Sequence, residues 1–128
     1  MQYEYFYGAQ AEQFSFYRIP KALFTEPNFR KLSTDAKVLY GILLDRMSLS
    51  LKNQWLDAQN KVYIIFTVEE IMDALNCANQ KATRLMVELE KQAGLIERKR
   101  QGLGRPNLIY VKNFAATIND KSCEKGDS

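Results

Sequence analysis

The sequence predicts an α+β domain: a winged helix-turn-helix with a small antiparallel sheet and an aromatic N-terminal extension. Three observations carry this. Two short amphipathic stretches, Val68 to Leu75 and Asn79 to Ala93, are joined by a turn of about three residues. Two stretches rich in β-formers, Leu95 to Arg100 and Leu108 to Lys112, then flank the loop Gln101-Gly102-Leu103-Gly104-Arg105-Pro106-Asn107, which reads as a wing. Positive charge gathers on these elements: from Asn79 to Lys112 eight Lys and Arg stand against three Glu, a net of +5, whereas the whole chain carries +3. The rest of the chain therefore nets −2, and the basic part is the part that would face a duplex.

The elements follow from local chemistry. Residues 1–29 hold nine of the 15 aromatics, too many for a solvated tail. Two readings stand: the rings cover the helical core of their own subunit, or Tyr3, Tyr5, Phe6 and Tyr7 pack on a second subunit. Alternation over Phe14 to Ile19 suggests a short extended piece. Pro20 opens one or two helical turns through Phe24, and Pro27 breaks them. Ser33 is a good N-cap, with Asp35 in the first turn, for a helix from Thr34 to about Leu51. That helix is apolar nearly all round and reads as the central one, with Lys37, Asp45, Arg46 and Ser48 as its exposed side. Asn53 to Lys61 is a polar loop whose Trp55 reads as a core ring, with stacking on a base or partner as the alternative. Val62 to Phe66 is expected to be a third strand beside the hairpin.

Thr67-Val68-Glu69-Glu70 is a capping box, so a helix starts at Val68, and Asn76 is a plausible left-handed stop. Asn79 is expected to cap the next helix, whose buried face is Ala82, Leu85, Met86, Leu89 and Ala93 and which Gly94 ends. After Phe114 apolar periodicity stops. Residues 1–114 therefore read as one winged-helix domain, and 115–128 as a linker-like tail that begins a connection to a C-terminal domain.

The candidate recognition residues are Asn79, Gln80, Lys81, Thr83 and Arg84, on the first turns of the second helix. Asn and Gln can pair bidentately with adenine and Arg with guanine, while a Thr methyl meets the thymine methyl. Lys99, Arg100, Gln101, Arg105 and Asn107 bracket the wing tip, placed to follow a phosphate strand or enter a narrow minor groove. Arg98, one residue out of phase with Lys99, points to the other face of its strand. The chain contains no His, which removes imidazole bases, triads and the commonest metal ligand. Cys77 and Cys123 make neither a disulfide framework nor a metal site. No apolar run reaches the roughly 18 residues of a membrane span, and no signal peptide pattern opens the chain. A cytoplasmic, non-enzymatic protein with no cofactor, metal or membrane contact is the expectation.

The runs Phe16-Tyr17-Arg18-Ile19-Pro20-Lys21-Ala22-Leu23-Phe24 and Leu32-Ser33-Thr34-Asp35-Ala36-Lys37-Val38-Leu39-Tyr40-Gly41, with Glu88-Leu89-Glu90 through Gly94-Leu95-Ile96, resemble the N-terminal domain of the RepA_N family. These are replication initiators of theta-replicating plasmids in low-GC Gram-positive bacteria. The resemblance spans roughly Phe14 to Phe114. It implies a winged helix, similar to DnaD-type primosome proteins, that binds double-stranded DNA repeats (iterons) at a plasmid origin as a homodimer. It also implies host replication proteins engaged through a further C-terminal domain; pairing of DNA-bound dimers is a separate expectation, which the sequence itself does not reveal. It transfers no site list, because recognition residues differ between members with their repeats. Two other readings share the fold: a transcriptional repressor, and a winged helix used for protein interaction in a replication complex.

Overall fold

A computed structural model of the chain describes residues 2–8 and 13–115. The linker-like tail beyond Ala115 lies outside the described residues. Among the described residues, six elements follow in order: α1 (Ala22–Thr25), α2 (Thr34–Lys52), α3 (Val68–Leu75), α4 (Asn79–Val87), β1 (Ile96–Lys99) and β2 (Leu108–Val111). A 3₁₀ turn, Pro27–Phe29, separates α1 from α2, with Pro27 at its first position. One π-helical turn, Glu88–Gln92, continues α4 toward β1.

The central helix starts where its cap places it. Ser33 is extended, and its Oγ accepts from the Ala36 amide at 3.2 Å. Leu39 and Leu43 of α2 are fully buried, together with Leu23, Ile64, Ile71, Leu85, Leu89, Ile96 and Ile109 from the surrounding elements. Gly41 lies where the segment Arg18–Ile19 crosses α2: a Cβ there would meet Ile19 Cγ1 at 2.8 Å and the Arg18 carbonyl oxygen at 3.0 Å. That segment makes no strand, so the alternation over Phe14 to Ile19 yields an extended strap without ladder partners. The far end of the domain is pinned by Tyr40. Its hydroxyl donates to the Lys112 carbonyl at 2.8 Å, and its ring packs beside Phe114, which also meets Phe29. Burial pushes the Tyr40 hydroxyl up to about 12, so it stays a donor.

Lys37 corrects the expected exposed side of α2. It is 7% exposed, and its ammonium lies 4.6 Å from the centre of the Phe24 ring. The aliphatic stem is covered while the charge rests on an aromatic face, so a residue classed polar in sequence completes the α1–α2 contact. On the other flank Arg46 lies 5.0 Å from the Phe66 ring centre and pairs with Glu70. Glu70 is thereby shared. One oxygen closes the capping box with Thr67, and the other holds α3 against α2.

The β1–β2 hairpin is antiparallel, with Ile96 opposite Val111 and Lys99 opposite Leu108. The expected third strand shrinks to one bridge. Ile64 and Ile109 exchange two backbone hydrogen bonds of 2.9 Å, while Val62 bridges to Leu56 in its own loop. Pairing within the loop takes up the start of the stretch, and Thr67 begins α3 directly after it. Trp55 is also corrected: it is 39% exposed and stacks on Tyr63, outside the core. Its loop is tied to β2, because Tyr110 Oη donates to Asp57 Oδ2 at 3.1 Å while the amides of Gln59 and Lys61 donate to Oδ1.

Of the N-terminal aromatics, Phe29 enters the core. Tyr3, Tyr5, Phe6, Tyr7, Phe14, Phe16, Tyr17 and Phe24 are exposed, with Tyr3 at 82% and Tyr5 at 84%. The reading that these rings cover their own helical core holds fully for Phe29 and in part for Phe24, which lies over Lys37, while Tyr3 and Tyr5 stand well clear of it. Phe14 meets both Phe6 and Phe16 edge to face.

Candidate nucleic-acid interface

The amphipathic pattern of α3 and α4 forces them to share one core. Ile71 of α3 and Ala82, Leu85 and Met86 of α4 are buried in the same hydrophobic cluster, and the helices are joined by Asn76, Cys77 and Ala78. Asn76 takes the left-handed conformation (φ 52°, ψ 54°) that ends α3, as expected for Asn. This is a helix-turn-helix.

The start of α4 differs from expectation by one residue. Ala78, not Asn79, is the N-cap, and no side chain caps the helix. The reason lies in the turn: with Asn76 left-handed, Ala78 is already extended, and its carbonyl takes the first helical bond from Ala82. Asn79 becomes the first helical residue, with Thr83 Oγ1 donating to its Oδ1 at 3.5 Å. The first-turn amides thus lack a side-chain acceptor, the arrangement in which a helix start attracts an anion.

Asn79, Gln80, Thr83 and Arg84 are exposed on one side of this start. Lys81 is half-buried, and its Nζ lies 2.7 Å from Asp35 Oδ2. That pair was not legible in the sequence, and it sets an acidic group in the first turn of α2 beside the recognition residues. Arg30 and Lys31, in the segment leading into α2, are exposed as well.

Two glutamates of the Glu88-Leu89-Glu90 run act as structural clamps. Glu88 is buried, and its oxygens accept from the Ser33 amide and hydroxyl, each at 2.9 Å, locking the start of α2 to the end of α4. Glu90 accepts from Arg98 Nε and Nη2 at 2.9 and 2.7 Å and from the Arg98 amide at 3.2 Å. Burial works to raise the Glu90 carboxyl, but the Arg98 bonds outweigh it and hold it below the ordinary carboxylate value. Arg98 is therefore turned away from the wing surface, as its strand phase predicts, and fixes the hairpin to the π-helical turn.

Lys99, at the end of β1, and Arg100, Gln101, Arg105 and Asn107, on the loop that follows, are all exposed. Among the described residues, Arg84, Lys99, Arg100 and Arg105 make no ion pair. Gln101 is partly engaged: its Nε2 donates to the Pro106 carbonyl at 2.9 Å, bracing the loop. The domain thus presents an uncapped helix start, an unpaired arginine beside it, and a braced loop with three unpaired cations.

Comparison with known proteins agrees with this architecture. The chain is 32% identical over 103 residues to a "41 kDa protein" of Lactobacillus helveticus, a match covering 80% of this chain and 28% of that relative. The chain thus spans little more than a quarter of the length of that curated relative. Among solved structures it is similar to an "N-Terminal domain of DNA binding protein" (36% identity, TM-score 0.72, 99% of this chain and 98% of that one). It is also similar to a "Structure of Rep-DNA complex" (36% identity, TM-score 0.72, 98% of each chain) and to a "Structure of MDR initiator" (39% identity, TM-score 0.71, 98% of this chain and 99% of that one). The family described as replication initiator protein A (RepA) N-terminus matches residues 15–125, and this chain belongs to that RepA_N family.

Proposed function

We propose that this domain is the DNA-reading part of a plasmid replication initiator and has no enzymatic role. It binds repeated sites at a plasmid origin as a homodimer, with the start of α4 in the major groove and the β1–β2 loop as a wing on the adjacent phosphates and minor groove. The observation that carries the reading is the coincidence, in a RepA_N chain, of the uncapped α4 start and unpaired Arg84 with the unpaired cations of the wing. Similarity to the chain of a Rep–DNA complex supports the same assignment. Gln80, Thr83 and Arg84 read base edges. Lys99, Arg100 and Arg105 hold the backbone and set the register.

Dimer contact is assigned to the aromatic arm. Tyr3, Tyr5, Phe6 and Tyr7 are exposed in the subunit, and covering so much aromatic surface on a second copy favours association. Pairing of DNA-bound dimers and recruitment of host replication proteins by a C-terminal domain complete the proposal. A second reading rests on the same exposed arm: a winged helix that docks a protein partner there and leaves DNA alone. Charge reversal separates the two. Arg84→Glu with Lys99→Glu should abolish DNA binding and leave partner binding through the arm intact; unchanged DNA affinity would refute the interface. Deleting residues 2–8 should lower the dimer fraction in sedimentation, and an unchanged profile would remove the arm from the dimer.

A further inference from the structure

The wing ends in an aliphatic side chain held clear of the protein. Leu103 is 99% exposed, between Gly102 and Gly104. The Arg105 amide donates to the Gly102 carbonyl at 3.2 Å, closing a reverse turn with Leu103 and Gly104 at its centre. Gly104 has φ +77°, the value that the second central position of a type II turn requires and that side-chain-bearing residues rarely adopt. One step further out, the Gln101–Pro106 hydrogen bond of 2.9 Å braces the two arms. The tip is thus a closed loop, and Leu103 is its apex. Arg100 and Lys99 approach on one arm and Arg105 on the other.

Cations on both flanks and an aliphatic apex match one feature of a duplex. The minor groove has phosphate walls, which attract the flanks, and a floor of sugar and base edges, which offers apolar contact to the apex. The floor is not uniform: G·C places the guanine 2-amino group in it, and A·T does not. We propose that Leu103 is the specificity-determining residue of the wing, seated in the minor groove and selecting A·T over G·C at the base pairs beneath the tip. This rests on the DNA-reading assignment above and adds what the wing itself reads.

The test uses the chain as it is, with duplexes selected by the wild type from a randomised library. Hydroxyl-radical footprinting locates the pairs protected in the minor groove, which are then replaced by G·C or by inosine·C, which lacks the 2-amino group. Wild type should bind the G·C duplex about tenfold more weakly, the usual scale for one unfavourable pair, and the inosine duplex within about twofold of A·T. Leu103→Ala should lose this discrimination and bind the A·T duplex about fivefold more weakly, with an unchanged salt slope because no phosphate contact is lost. Leu103→Met should retain it. The exposure of Leu103 leaves the fold unaffected, which circular dichroism checks. G·C pairs under the tip of selected duplexes, equal losses with G·C and inosine·C, or the same discrimination in Leu103→Ala as in wild type would overturn the inference while the DNA-reading assignment stands. A wild type that selects no duplex overturns both.

Discussion

Asp35→Asn should tighten DNA binding. In the unbound domain the Lys81 ammonium lies 2.7 Å from Asp35 Oδ2, so a phosphate that recruits Lys81 must first compete with a carboxylate. The two side chains are 42% and 50% exposed, which places the pair in the solvent-screened class worth about 0 to 1 kcal/mol. Removing the competitor should therefore raise affinity by up to about fivefold, the factor that 1 kcal/mol gives at 25 °C. Asp35 also sits in the first turn of α2, where a negative charge stabilises the helix by about 0.3–1 kcal/mol, so the variant should melt slightly earlier while binding more tightly. Fluorescence anisotropy with Asp35→Asn, Lys81→Ala and the double variant closes a cycle. Lys81→Ala should cost more affinity in the Asp35→Asn background than in wild type. Affinity unchanged or lowered by Asp35→Asn, with an additive cycle, would show that Lys81 stays on α2 when DNA binds.

Other perturbations address the helix, the wing and the scaffold. Arg84→Ala should cost about 1–3 kcal/mol and relax preference at one base position, whereas Arg105→Ala should weaken all duplexes alike and flatten the salt slope by about one; equal loss at every position with Arg84→Ala would move that residue to the backbone class. Glu90→Gln should destabilise the domain by about 1–3 kcal/mol in thermal or urea unfolding, because Arg98 keeps a partly buried charge without its partner. The folded Glu90 carboxyl lies below its unfolded value, so this stability is present above the ordinary carboxylate range and is lost as pH falls through the depressed value. The gap between wild type and Glu90→Gln should shrink in that acid window, and a gap independent of pH would deny the pair its role. Gly41→Ala should destabilise by about 1–3 kcal/mol, since the new methyl would press on the Arg18 carbonyl and Ile19; no loss in urea midpoint would mean that the strap moves aside freely.

What was legible in the sequence is what short-range chemistry decides. The Thr67–Glu70 box, the Asn76 stop, the Ser33 cap and the hairpin all depend on residues within one turn or one loop, and each is present. Arg98 was placed correctly by strand phase, although its partner was not foreseen. Features set by distant partners were opaque. Glu88 reaches Ser33 across 55 positions, Lys37 is buried because α1 supplies an aromatic lid, and Lys81 meets an acid from a different helix. Trp55 and the Val62–Phe66 stretch failed differently: their hydrophobicity and β-propensity are real, but a loop pairing with itself satisfied them locally. The candidate recognition residues were legible as a basic, polar helix start, and all but Lys81 are exposed there. The ion pair of Lys81 with Asp35 was not legible, since it arises from how α2 lies against α4.

The most direct test of the central claim is fluorescence anisotropy of this domain on the repeat-containing segment of a cognate plasmid origin against a scrambled duplex, over a salt series. The account predicts clear preference for the repeats, two subunits per repeat, and a log–log salt slope of about −5, as for six phosphates neutralised across a dimer. Equal, weak binding to both duplexes with a shallow slope would contradict it.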